Sequence, residues 1–130
     1  MPSPLLHKTF QFSIDIVTLT RQLQQTHKEF TLTKQLMRSG TSVGAMVEEA
    51  RHAESKADFI HKLAIAQKEI NETIYWLRLL NATNLLDDPL FESLNNNAIE
   101  ILKMLTSSIK TTKSNLKKPD NNNSTHQSPL

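Results

Sequence analysis

The chain has 130 residues, 15 Lys and Arg against 13 Asp and Glu, 38% apolar residues, two Gly and no Cys. That length suits one domain of ordinary soluble composition, and the lack of Cys excludes a disulfide, a zinc ribbon and a thiol nucleophile. Few glycines argue against a turn-rich β-fold, and a formal net charge of +2 is too small to imply a nucleic-acid partner by itself.

No stretch approaches the roughly 18 apolar residues needed to cross a bilayer, and no apolar run follows a basic start at Met1. The expectation is a cytoplasmic protein with no membrane partner. Four helical stretches follow from apolar period and capping. The first spans about Leu5 to Lys28, where Leu6, Phe10, Ile14 and Val17 form one stripe and Phe12, Ile16, Leu19 and Leu23 a second on an adjoining face. A helix apolar on two faces must bury both, one in its own bundle and one against another subunit.

The second helix spans about Leu32 to Glu54, with Thr31 or Thr33 as its N-cap. Leu36, Gly40, Val43, Val47 and Ala50 share one face. Each glycine costs about 1 kcal/mol relative to Ala inside a helix. Either another helix backbone approaches Gly40 and Gly44 closely, or the helix breaks at Ser39-Gly40-Thr41.

The third helix spans about Lys56 to Asn81, and Ser55 with Asp58 has capping-box spacing. Its cleanest stripe is Phe59, Leu63, Ala66, Ile70, Ile74 and Leu77. A second face carries Ile65, Glu69, Glu72, Trp76 and Leu79, a mixture that suits an interface better than open water. The fourth helix starts with Asp88 as N-cap and Pro89 at its first position. Leu90, Phe91, Leu94, Ala98, Ile101, Leu105 and Ile109 continue it towards Leu116. Its last turns hold Lys103, Lys110, Lys113, Lys117 and Lys118 without an acid between them, which suits the negative end of a helix. The bundle is expected over residues 1–118, and the polar string over 119–130 as a disordered tail.

Few constellations point to chemistry. Glu49 with His52 has the Glu-x-x-His spacing of di-iron bundles, and Asp58 with His61 comes near it. Both pairs point away from the apolar stripes, Glu49 and His52 by roughly 140–160° at about 100° per residue, so no metal and no cofactor are expected. No nucleophile elbow or phosphate-binding loop is present, and the protein is not expected to be an enzyme. Lys34, Arg38, Arg51, Lys110, Lys113, Lys117 and Lys118 are the candidates for binding the phosphates of RNA or DNA. No aromatic interleaving supports base stacking. Arg38, Glu49 and Glu72 also suit ion pairs that fix the register of close helices or subunits.

From Arg38 to Leu77, the residues Arg38-Ser39, Ser42-Val43, Glu49-Ala50, Ser55, Phe59, Leu63, Ala66, Glu72 and Tyr75-Trp76-Leu77 form a set. On that set the chain resembles the small four-helix proteins encoded in intervening sequences of bacterial 23S rRNA genes, with the resemblance running from about Phe10 to Leu86. Met46 departs from it, because the family commonly has Asn there. The resemblance implies an up-down-up-down bundle in a ring-like homopentamer. The family is similar to the accessory variability protein of diversity-generating retroelements, a markedly basic pentamer that binds nucleic acid and a reverse transcriptase. Members of the nearer family generally have no established biochemical activity.

The expectation is therefore an all-α, antiparallel four-helix bundle that assembles with itself and catalyses nothing. Gly40, Gly44, Glu49, Ile65, Glu72, Trp76 and Leu79 are its interface or structural residues. One functional expectation adds nucleic-acid or ribonucleoprotein binding through the basic residues. The alternative is a protein-interaction scaffold that docks a partner helix.

Overall fold

A computed structural model describes residues 3–116. Among them are four α-helices and no strand: α1 (Pro4–His27), α2 (Thr31–Arg51), α3 (Lys56–Ala82) and α4 (Asp88–Leu116). Lys117, Lys118 and the expected tail lie outside the described residues.

Short polar devices set the helix ends. The Ser3 hydroxyl accepts from Leu6 N at 3.4 Å, with Pro4 just inside α1. Lys28, at φ 53°, ends that helix in the left-handed region. At α3, Ser55 Oγ accepts from Asp58 N at 3.0 Å, while the Asp58 carboxylate accepts from Glu54 N at 3.2 Å.

Two caps differ from expectation. Neither Thr31 nor Thr33 caps α2; the Glu29 carboxylate does, accepting from Leu32 N and Thr33 N at 3.0 Å. Thr33 is used otherwise, donating to Glu29 O at 2.7 Å and accepting from Gln24 Nε2 at 3.1 Å. At α4 the capping carboxylate is Asp87, which accepts from Leu90 N at 2.9 Å. Asp88 instead accepts from Asn81 Nδ2 at 2.7 Å, and the same amide donates to Leu86 O at 3.0 Å. Asn81 thereby ties the α3–α4 turn, in which Asn84 takes φ 64°.

Each helix packs on its chain neighbours, and α4 closes on α1. Residue numbers fall along one helix as they rise along the next. Gln24 meets Thr33 and Ile16 lies under Gly40. Arg38 meets Glu72 and Glu49 meets Lys62. Gln67 meets Thr106, and Lys8 meets Glu100. The helices α1 and α3 lie diagonally across the core.

The core is built from Leu5, Phe12, Ile16, Leu19 and Leu23 of α1 with the expected stripes of α2, α3 and α4. The other α1 stripe faces outward: Phe10 is 69% and Ile14 44% exposed. Three apolar residues expected in stripes sit at the margin: Ile74, Leu90 and the half-buried Phe91. Ile74 is only half-buried, and Thr73 takes the buried position beside it. Leu90 is exposed at the start of α4.

The glycines do not break α2, which is continuous through both. A Cβ on Gly40 would lie 2.9 Å from Ile16 Cγ2, and one on Gly44 would lie 3.1 Å from Ser13 Oγ and 3.3 Å from the Thr9 carbonyl oxygen. Only Gly44 therefore meets a helix backbone, whereas Gly40 makes room for a core side chain. One polar contact is enclosed in the core: the Thr73 hydroxyl on α3 lies 2.9 Å from Ser39 Oγ on α2 and 2.8 Å from Glu69 O. Both residues are fully buried, so this pair fixes the α2–α3 register.

Candidate functional site

The α2–α3 seam carries a charged network. Arg38 of α2 donates through Nη1 to Glu69 Oε2 at 3.2 Å and through Nη2 to Glu72 Oε2. The guanidinium is thus divided between two carboxylates of α3, rather than forked onto one. One cation shared by two carboxylates leaves the cluster at net −1. Glu69 is the more enclosed acid, its side chain 18% exposed against 39% for Glu72. Glu49 takes no part; it approaches Lys62 at 3.9 Å near the other end of α2. Glu69, placed with Glu72 on one α3 face by the sequence, is the acid that the expected pairing set of Arg38, Glu49 and Glu72 left out.

Apolar residues flank that network along α3. Ile65, Trp76 and Leu79 are all half-buried. Trp76 also packs against the bundle core, and its Nε1 is buried without an acceptor. The adjacent Tyr75 is 54% exposed and stands edge-on to the indole, ring centres 5.0 Å apart. Tyr75 is a large exposed aromatic that the helical stripes did not single out.

On the adjoining side of the bundle, across α2 from the α2–α3 seam, Leu6, Phe10, Ile14 and Val17 run along α1 next to α2. Beside them α2 offers only Thr41, Gly44, Ala45 and Glu48, which leaves a groove of about 380 Å³ under Phe10. Arg21 continues the stripe four residues after Val17, exposed and with no ion pair among the described residues.

The basic candidates do not converge. Arg38 is held by its two acids, and Arg51 pairs with Glu48 at 3.3 Å. Lys34 stands exposed near the start of α2, and Lys110 and Lys113 near the end of α4. Through the Gln67–Thr106 and Glu49–Lys62 contacts, Lys110 is level with Glu49. Glu49 is fifteen residues along α2 from Lys34, or about 22 Å at 1.5 Å per residue. Lys117 and Lys118 lie outside the described residues.

The two Glu/Asp–His pairs also have ordinary roles. Glu49 and His52 are exposed, and Asp58 caps α3. Among the described residues, no three His, Asp or Glu side chains gather as metal ligands, and no helix is long and apolar enough to cross a membrane.

Comparison with known proteins fits this arrangement. The chain is similar in structure to a protein with unknown function from the S23 ribosomal protein family of Bacteroides thetaiotaomicron VPI-5482. Identity is 49% and the TM-score 0.81, over 82% of this chain and 98% of that one. No curated protein matches. The description 23S rRNA-intervening sequence protein matches residues 4–107. With four-fifths of its length covered and the helices in place, the chain belongs to the 23S rRNA-intervening sequence protein family.

Proposed function

We propose that the protein is a non-catalytic, antiparallel four-helix scaffold that works as a homo-oligomer in the cytoplasm. One observation carries this: on the outer α1 stripe Phe10 is 69% and Ile14 44% exposed, between Leu6 and Val17, which are half-buried. Scattered exposed apolar residues need no explanation, but a continuous helical stripe does. Burying it at about 25 cal/mol per Å² gives self-association a driving force. A ring of five is what the family resemblance adds.

Static light scattering on the purified chain at tens of micromolar tests the assembly. A particle several times the 14.8 kDa chain mass is expected. A stable monomer refutes the proposal.

The nucleic-acid reading keeps one supporting observation, Lys110 and Lys113 at the end of α4, exposed and without an ion pair among the described residues. With Arg38 and Arg51 engaged by carboxylates, protein docking is the stronger proposal. A gel-shift series with RNA and DNA at rising salt separates the two. Binding that falls steeply with salt supports phosphate contacts, and no binding at low salt ends that reading.

A further inference from the structure

We infer that copies of this chain join head to tail, the α1 stripe of one copy lying antiparallel along the outer face of α3 of the next. This rests on the proposed self-assembly and specifies how it is made. Each copy carries two candidate faces on diagonally opposed helices, the α1 stripe with Phe10 and Ile14 exposed and the α3 face with Ile65, Trp76 and Leu79 half-buried around the Arg38 network. A two-fold contact of α1 on α1 would leave the α3 face bare and Arg21 away from Glu69 and Glu72. A two-fold contact of α3 on α3 would oppose two clusters of net −1. Only a contact between unlike faces covers both and brings Arg21 to Glu69 and Glu72.

The lengths and spacings agree. Phe10 to Arg21 and Glu69 to Leu79 are eleven and ten residues, about 16 and 15 Å of helix. On α3 the positions 65, 69, 72, 76 and 79 alternate steps of four and three, and so do 10, 14, 17 and 21 on α1, the spacing of a packed helical seam. With Arg21 beside Glu69 and the helices opposed, Val17 falls by Glu72, Ile14 by Trp76 and Phe10 by Leu79. In the parallel direction, with Arg21 by Glu72, Ile14 meets Ile65 but Phe10 lands near exposed His61. The antiparallel direction sets Ile14 and Phe10 against Trp76 and Leu79, while Leu6 falls beyond the end of α3. The groove under Phe10 leaves room for a large α3 side chain.

The chain has no Cys, so a disulfide reports contact directly. Proteins bearing Phe10→Cys and Leu79→Cys are coexpressed and oxidised without denaturant. The mixture should give covalent dimers, and a double Phe10→Cys/Leu79→Cys chain a ladder of multimers, whereas either single variant alone should stay unlinked. Cross-linking by Phe10→Cys alone as strong as in the mixture overturns the head-to-tail contact. So does an assembled particle in which no pair cross-links. A monomeric wild-type particle would instead refute the assembly itself.

A charge test needs no cysteine variant. Arg21→Glu should raise the dissociation constant at least tenfold, and adding Glu69→Lys should restore most of that loss. Unchanged association in Arg21→Glu removes Arg21 from the contact and overturns the register.

Discussion

Gly40→Ala tests why this helix keeps a residue that weakens helices. Left to propensity alone, the substitution stabilises α2 by about 1 kcal/mol. The added methyl group, however, would sit 2.9 Å from Cγ2 and 3.0 Å from Cγ1 of Ile16, which is fully buried. Ile is β-branched and held to one χ1 rotamer in a helix, so the side chain cannot swing aside. Overpacking of this kind costs about 1–3 kcal/mol, and the clash outweighs the gain in helix propensity. The net expectation is a loss of about 1 kcal/mol in urea denaturation at fixed protein concentration. In an Ile16→Ala background, both γ carbons are gone and the new methyl group enters the vacated space. There Gly40→Ala should become stabilising, with a coupling of about 1–3 kcal/mol in the double-mutant cycle. If Gly40→Ala stabilises the wild-type chain, close packing against Ile16 is not what requires glycine.

Asp87→Ala should cost about 1 kcal/mol by uncapping α4, and by circular dichroism should fray its first turn, whereas Asp88→Ala should leave that turn intact; the reverse pattern refutes the cap assignment. Thr73→Val should lower stability by about 1 kcal/mol, because Ser39 Oγ loses its cross-helix partner inside the core, while Ser39→Ala added to it should cost little more in the same denaturation assay. Arg38→Ala should cost more than Glu72→Ala, about 1 kcal/mol against less than about 0.5 kcal/mol. The first leaves Glu69 and Glu72 facing each other unscreened, so adding 1 M salt should shrink the difference.

The helices were legible because apolar period and polar caps are local signals. What sequence could not decide was which α1 stripe enters the core. Leu6-Phe10-Ile14-Val17 and Phe12-Ile16-Leu19-Leu23 satisfy the same helical period. The choice is made by α2, where Gly40 accepts Ile16 and Gly44 lies against Thr9 and Ser13. At α4 two adjacent Asp residues both precede Pro89, and period cannot tell which one turns its carboxylate onto the helix. The partners of Arg38 lie 31 and 34 residues away. The sequence therefore offers Arg38 both as a phosphate contact and as an ion-pair member, and the fold assigns it two acids. Glu48 and Arg51, three residues apart on one helix, have a spacing that allows a pair, yet Arg51 reads in sequence as a phosphate-binding candidate.

Charge placement also limits how nucleic acid could be bound. Lys34 and the Lys110–Lys113 end are separated by about 22 Å of helix, more than twice the screening length of about 8–10 Å at ordinary ionic strength. They cannot act as one site on one copy. A phosphate-binding surface would need the same lysines from neighbouring copies brought side by side, which makes it a property of the assembly. RNA or DNA binding should therefore fall together with association when Phe10 is replaced by Asp, although that position carries no basic group. Lys110→Ala with Lys113→Ala should reduce binding and its salt slope without changing particle mass. If Phe10→Asp yields folded monomers that bind nucleic acid as tightly as the parent, the contact is local to one chain and does not depend on assembly.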